Sequence, residues 1–427
     1  MTDQLEINQL VDHLFRHESG RLVAVLSRVF GPENLDLAED VVQDSLIEAI
    51  KKWTYSGIPD NPSGWLFKVA KNKALNIIKH QQYERKYSSD VAHFLKSEWT
   101  VEPALDHLFS EEEIQDGQLR MIFTCCHPAI SSDSQIALAL KTLCGFSLPE
   151  IARAFLTTDE NINKRLVRAR QKIREDQIPF EVPQGKDLVK RLQAVLETIY
   201  LLFNEGYSAS SGKDLIRLEV CEEAIRLAEM IAAHPAITNK SNVYALVALM
   251  QLNASRFKAR QDADGNIITL ENQDRSLWDY VLMEKGFSNL ERSTSENQVS
   301  IYHILASISA YHCSAFRYDA TDWESILTLY DRLIQIDSSP IVLLNRAVAI
   351  SKVKGAEKAI AELEQIRNSV QLKSSHLFYS TIAQFYIELN QYSNAIPEIE
   401  TAIELAPLPN EKLLLREKLT LCQQKIK

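Results

Sequence analysis

Apolar residues recur every three or four positions along nearly the whole of this chain, and that period admits helices and little else. Residues 9–30 and 36–53 carry it on either side of the turn signal Gly31-Pro32. It returns after the loop TYSGIPDNPSGW (54–65), where Leu66, Val69 or Ala70, Lys73 or Ala74, and Ile77 trace one helical stripe. With 12 Gly and 13 Pro among 427 residues, breakers are too few for an all-β chain. An all-α fold follows. The length exceeds one ordinary core, so two or three domains are expected.

The interruptions mark the expected domain limits. Residues 84–110 are mixed and weakly patterned, which suits a linker after a first domain of 1–83. Ser110 and Glu113 then form an S-x-x-E capping box opening the next helix. Helices continue to 176, where DQIPFEVPQGKD breaks the pattern with two prolines and a glycine. That segment separates a second domain (111–176) from a helical remainder (188–427) through a linker at 177–187. In the remainder, FKARQDADGNIITL alternates and turns at Asp264-Gly265, so one small β-hairpin is expected there. A calcium loop from Asp262, Asp264 and Asn266 is the alternative, but it lacks the twelve-residue spacing and the closing Glu.

Near the C-terminus Trp323, Ala356 and Tyr392 fall at equivalent places in three helical segments, bracketing the 34-residue tetratricopeptide period. The first unit keeps only its second helix recognisably, and Pro397 sits early in the last. Such helix pairs bury their apolar faces by stacking on one another and serve as scaffolds for partners. The six cysteines (125, 126, 144, 221, 313, 422) form no CxxC pair, and adjacent Cys125 and Cys126 point about 100° apart on a helix. They read as buried, reduced thiols, with no metal or cofactor implied. No apolar run is long enough to span a bilayer and no leader precedes the first helix, which places the chain in the cytoplasm.

The net charge of −10 argues against a protein coated in nucleic acid, yet one segment is strongly cationic. Asn161 to Arg174 holds Lys164, Arg165, Arg168, Arg170, Lys172 and Arg174 without a single acid. Ile162, Leu166, Ala169 and Ile173 give it an inward stripe, with Lys164, Arg168 and Lys172 opposite. Upstream, Ser147 and Glu150 make a second capping box, with Pro149 tolerated in the first turn and Ile151, Ala154 and Phe155 apolar. Leu156-Thr157-Thr158 separates the two helices, and Thr158 or Asp159 can cap the second. A short capped helix, a brief turn and a longer helix with a basic outer face make a helix-turn-helix, whose second helix fits the major groove. The alternative is a solvated basic face or one serving an acidic partner.

EIARAFLTTDENINKRLVRARQKIR resembles the fourth conserved region of extracytoplasmic-function sigma factors in the sigma-70 family. DLAEDVVQDSLIEAI (36–50) resembles region 2, which binds the clamp helices of RNA polymerase. NPSGWLFKVAKNKALNIIKH (61–80) resembles the part that opens and reads the −10 promoter element. LLFNEGYSASSG (201–212), QDRSLWD (273–279), TDW (321–323) and LNRAVAI (344–350) are similar to the long helical extension of one subgroup, described as tetratricopeptide-like and required for activity. Leu156 stands where the family often has a turn glycine, and Asn76 where an aspartate is common.

The resemblance implies an alternative sigma factor, without enzymatic activity, that binds RNA polymerase core enzyme and promoter DNA. Polymerase contacts would come from Glu39, Asp40, Val42, Gln43, Asp44, Leu46 and Ile47, beside Leu37. At the −10 element, Asp60 and Asn61 would meet an extruded base, and Lys68, Lys71, Asn72 and Lys73 would hold the single strand by its phosphates. Trp65 is a core anchor with base stacking as the alternative. At the −35 element, Asn161, Asn163, Lys164 and Arg165 would read base edges while Arg168 and Lys172 contact phosphates. The extension would regulate by contact with a protein partner or by docking within the chain; Asn204, Glu205 and Tyr207 could form that interface or an internal bond set. The competing reading is a one-component helix-turn-helix regulator with a helical sensor, which would need neither 36–50 nor 61–80. No nucleotide loop, HExxH or G-x-S-x-G points to an enzyme.

Overall fold

The computed structural model describes residues 4–81, 98–154, 157–207, 218–262, 265–295, 299–367 and 370–426. Among them it is all helical, with no strand. The chain divides into two compact units, the first comprising Met1–Leu202 with Ala233–Ala236 and the second the rest.

The first unit holds α1 (Gln4–Phe30), α2 (Leu35–Ser56), α3 (Pro62–Gln81), α4 (Glu98–Leu108), α5 (Glu111–Cys125), α6 (Ser132–Thr142), α7 (Leu148–Ala154) and α8 (Asp159–Glu175). It also takes most of α9 (Gly185–Tyr207), the helix that crosses into the second unit. Gly31, at φ +87°, turns the chain between α1 and α2, a backbone state that glycine adopts freely. Its core joins both parts that the sequence keeps separate. Leu22 and Leu26 of α1, Trp53 of α2, Leu66 of α3, Leu119 of α5 and Leu138 of α6 are all buried.

The two parts meet at close range. A Cβ added to Gly20 of α1 would stand 2.2 Å from the carbonyl oxygen of Leu143, just past α6. Gly117 of α5 likewise faces the backbone of Ala24. Arg21 and Arg28 of α1 reach Glu111 and Glu113 at the start of α5, and Arg28 lies 3.7 Å from Asp116.

Two local expectations change for that reason. Ser110 stands at the N-cap of α5 without a side-chain cap bond, and the reciprocal half of the box is missing too, since Glu113 is drawn to Arg28 and Ser110 N–H donates to the His107 carbonyl. Residues 98–108, expected within a linker, are helix α4, held by buried Leu105 and Leu108 and by an edge contact of Phe109 with Phe67. Residues 84–97 lie outside the described residues.

The segment 177–187 does not hang free between domains. Ile178 and Pro183 are buried, Thr124 donates to the Pro179 carbonyl at 3.3 Å, and the division between units falls after Leu202.

The second unit contains α10 (Leu218–Ala233), α11 (Ser241–Ala254), α12 (Tyr280–Ser293), α13 (Ile301–Ser314), α14 (Trp323–Leu333), α15 (Pro340–Lys354), α16 (Ala356–Ile366), α17 (Val370–Lys373), α18 (His376–Glu388), α19 (Tyr392–Leu405) and α20 (Pro409–Ile426). Trp323, Ala356 and Tyr392 each begin a helix, in agreement with their equivalent positions in the repeat. α13 supplies the first helix of the first pair, which the sequence did not show. Ile304 and Ile308 of α13, Ile326 of α14, Leu344 of α15, Leu363 of α16 and Phe378 of α18 share one core, so each pair buries its face against the next.

Arg346 of LNRAVAI is structural, bridging Asp331 of α14 at 2.7 Å and Glu362 of α16 at 2.5 Å. The expected hairpin is reduced to a single antiparallel bridge, Gln261 to Ile267, backed by Ile268 N–H donating to the Arg260 carbonyl. Ala263 and Asp264 at its turn lie outside the described residues. All six cysteines are free and buried, and no cluster of metal-ligating side chains occurs among the described residues. Burial pushes the Cys126 thiol up to about 12, which leaves it unreactive. No described helix is long and apolar enough to cross a membrane.

Candidate nucleic-acid and polymerase interfaces

The helix-turn-helix is set by its caps. Glu150 accepts from both the backbone N–H and the hydroxyl of Ser147 at 2.7 Å, and Ser147 Oγ accepts from Glu150 N–H at 3.4 Å. Thr158 Oγ1 then accepts from the backbone N–H of Asn161 at 3.3 Å, starting α8. Phe155 and Leu156, between the two helices, lie outside the described residues. Ile162, Leu166, Ala169 and Ile173 are all buried, so the stripe fixes which face of α8 remains outward.

That outward face carries Asn161, Asn163, Lys164 and Arg168, all exposed. Arg168 has no ion-pair partner among the described residues. Lys164 pairs with Glu160 at 2.7 Å and Lys172 with Asp176 at 3.0 Å, both one turn away on the surface. Such pairs contribute about 0.3–0.5 kcal/mol and yield readily to a phosphate. Asn161 spends one amide hydrogen on Thr157 Oγ1 at 2.9 Å. Arg165 is half-buried and leans on Asp133 at 3.3 Å, so of the base-reading set it is the one engaged with another helix.

The inner edge of α8 does something that the sequence did not show. Arg170 donates through Nη1 to Asp36 and through Nη2 to Glu39, each at 2.9 Å. Arg174 stands 3.6 Å from Asp36. The side chains of Arg170 and Glu39 are only 12% and 11% exposed. Arg170 follows Leu166 by four residues, at the border of the apolar stripe, and that position was the available signal.

The seven residues placed toward polymerase therefore divide. Asp40, Gln43, Asp44 and Ile47 form an exposed face of α2. Val42 and Leu46 are core, 1% and 6% exposed, because they lie on the helix face turned into the unit. Glu39 is closed off by Arg170, so none of these three is presented outward in this form.

At the other candidate nucleic-acid surface, Asn61 is the cap of α3. Its Oδ1 accepts from Gly64 N–H at 2.8 Å, and its side chain fills the space that a Cβ on Gly64 would need. The carbonyl oxygen expected at a base edge is thus committed to the helix start, which leaves the amide. Asp60, Lys68 and Asn72 are exposed. Lys71 pairs with Asp106 of α4 and Lys73 with Glu48 of α2 at 3.1 Å. Trp65 is half-buried, its ring 5.3 Å edge-on to Trp53 with Lys52 above it.

Comparison with known proteins accords with this geometry. Residues 14–83 match the family described as Sigma-70 region 2, and residues 120–173 the family described as Sigma-70, region 4. Residues 191–294 match a family of unknown function, DUF6596. An uncharacterized protein, R00370, of Rhizobium meliloti (strain 1021) is 35% identical over 388 residues, 90% of each chain. No solved structure matches. The chain belongs to the sigma-70 family: it is an alternative sigma factor of the extracytoplasmic-function type with a long helical C-terminal extension, and it binds RNA polymerase core and directs promoter recognition.

Proposed function

We propose that the first unit is the resting form of this factor, and that promoter recognition requires regions 2 and 4 to part. Asn163, Lys164 and Arg168, with Arg165 released from Asp133, then read and grip the −35 element. Lys68 and Asn72, joined by Lys71 and Lys73, hold the single strand at −10. Asp40, Gln43, Asp44 and Ile47 form the outward polymerase face.

The observation that carries this reading is the sharing of one core by two regions that must act far apart. A compact body of about 200 residues has a radius of gyration of roughly 16 Å. Elements centred at −10 and −35 are separated by roughly 80 Å of duplex at about 3.4 Å per base pair. A unit pinned by Arg170 and by the Gly20–Leu143 approach does not span that distance.

The extension is the element through which opening is controlled, by a partner or by docking within the chain. Tyr207 serves inside its own unit, its hydroxyl accepting from Arg256 at 2.8 Å, which supports internal bonding for that residue. Run-off transcription with purified core enzyme tests the whole reading. Specific transcripts should require the full chain, and a fragment lacking 203–427, which keeps the first unit's part of α9, should change their yield. Equal yield from fragment and full chain would remove the controlling role.

A further inference from the structure

Three separate segments of the second unit bring two guanidinium groups onto one indole and a third onto a neighbouring phenol ring. Arg256 and Arg260 follow α11, Arg275 belongs to QDRSLWD, and Tyr207 ends α9. The Arg275 guanidinium lies 4.3 Å and that of Arg256 5.9 Å from the Trp278 ring, while Arg260 stacks 3.9 Å over Tyr207. The positive charges are close enough to oppose one another. Burial first, and then the charge of Arg256, hold the Arg275 guanidinium below its ordinary range.

Among the described residues no carboxylate pairs with them. Arg256 donates to the Tyr207 hydroxyl and to Asn253 Oδ1, both neutral. Arg260 donates to the Tyr207 carbonyl at 2.6 Å, and Arg275 to the carbonyls of His312 and Ala315 at 2.8 and 2.7 Å. Helix-end carbonyls explain part of this, since they carry partial negative charge. They leave Arg256 Nε, Arg275 Nη2 and Trp278 Nε1 buried without an acceptor among the described residues.

The want of an acid here is selective. The chain has 57 acids against 47 Lys and Arg, and Arg170, Arg346 and Arg367 elsewhere are all paired with carboxylates. Two aspartates even flank the site in sequence, but both are spent on helix caps. Asp274 accepts from Ser276 N–H and Asp279 from Leu282 N–H, each at 2.9 Å.

We infer that Arg256, Arg260 and Arg275, gathered on Trp278 and Tyr207, form a binding site for the oxyanion group, phosphate or carboxylate, of a small ligand. Planar guanidinium forks match such oxygens in geometry as well as in charge. All three arginines remain partly exposed, so solvent reaches the cluster.

The test is calorimetric titration of the full chain with pyrophosphate and, separately, with citrate, in buffers matched in ionic strength by chloride. Saturable binding of pyrophosphate alone assigns a phosphate ligand, of citrate alone a carboxylate, and of either supports the site. Arg256→Gln should weaken that binding at least tenfold, and Arg256→Lys, which keeps the charge and loses the fork, several-fold. In the nitrogen-labelled spectrum the indole N–H resonance that Trp278→Phe removes should move on titration. No saturable binding of either anion, or binding unchanged in Arg256→Gln, would overturn the inference. Because it reads binding alone, the outcome is independent of whether the resting form opens on a promoter.

Discussion

Arg170 Nη2 donates to both carboxylate oxygens of Glu39 at 2.9 Å while its Nη1 holds Asp36, so α8 of region 4 is pinned to α2 of region 2. The bond is nearly shut off from solvent, which makes it unlike the surface pairs on the outer face of the same helix. Removing one partner of a buried pair leaves the other charge stranded, at a cost of about 3 kcal/mol or more.

Arg170→Ala should therefore loosen the resting form by more than a hundredfold in its closing equilibrium. Titration with polymerase core in the absence of DNA reads this directly, and affinity should rise. Hydrogen exchange should quicken in both 35–56 and 159–175. Affinity equal to that of the unaltered protein would count against the latch.

Neighbouring residues on α2 should separate stability from docking. Leu46→Ala removes a buried side chain and should lower the stability of the first unit by about 2–5 kcal/mol. Ile47, 48% exposed, should leave stability within about 0.5 kcal/mol when changed to Ala but weaken binding to core enzyme. Urea midpoints and core titrations on both variants give the two readouts.

On α8, Arg165→Ala should weaken binding at the −35 element by about 1–3 kcal/mol and relax sequence preference there. Lys172→Ala should weaken all sequences alike and reduce the salt dependence by about one counterion. Asp133→Asn, which removes the ion pair between this residue and Arg165, should strengthen promoter binding by holoenzyme. Competition assays at two salt concentrations distinguish these outcomes.

His312 predicts a pH dependence. Burial first, then the charges of Arg256 and Arg275, push its imidazole from 6.5 down to about 3. Above pH 6.5 neither the folded nor the unfolded chain protonates it, so its contribution to stability is complete there. As pH falls from 6.5 toward 3 the unfolded chain takes up a proton that the folded chain refuses, and stability drops by up to about 1.4 kcal/mol per pH unit. His303, also lowered by burial, adds to the same trend. His312→Gln should flatten the slope of the urea midpoint between pH 7 and 5 by about one proton.

Local features of this molecule were legible in the sequence, and distant pairings were not. The Ser147–Glu150 box, the Thr158 cap and the Ile162–Ile173 stripe are set by neighbours within a few residues, so their pattern predicts them. The same kind of pattern misled at Ser110, where Arg28 of another helix outcompeted the local cap for Glu113. Helix α4 carries only a short apolar run interrupted by Pro103, and tertiary contact through Leu105 and Leu108 decides it. Glu39 and Arg170 are 131 residues apart, and each alone is an ordinary residue of an exposed helix. Nor could spacing reveal that QDRSLWD, the end of α11 and the end of α9 converge on Trp278 and Tyr207.

The distance between region 2 and region 4 tests the central claim. Spin labels on cysteines introduced at Lys68 and Lys164 probe it without interference from the six buried native thiols. The free protein should give one narrow distance within a compact body, below roughly 50 Å. Bound to polymerase core and promoter DNA, the same pair should separate to roughly 70 Å or more, the scale set by the two elements along the duplex. A broad long distance in the free protein, or an unchanged one in the complex, would contradict the account.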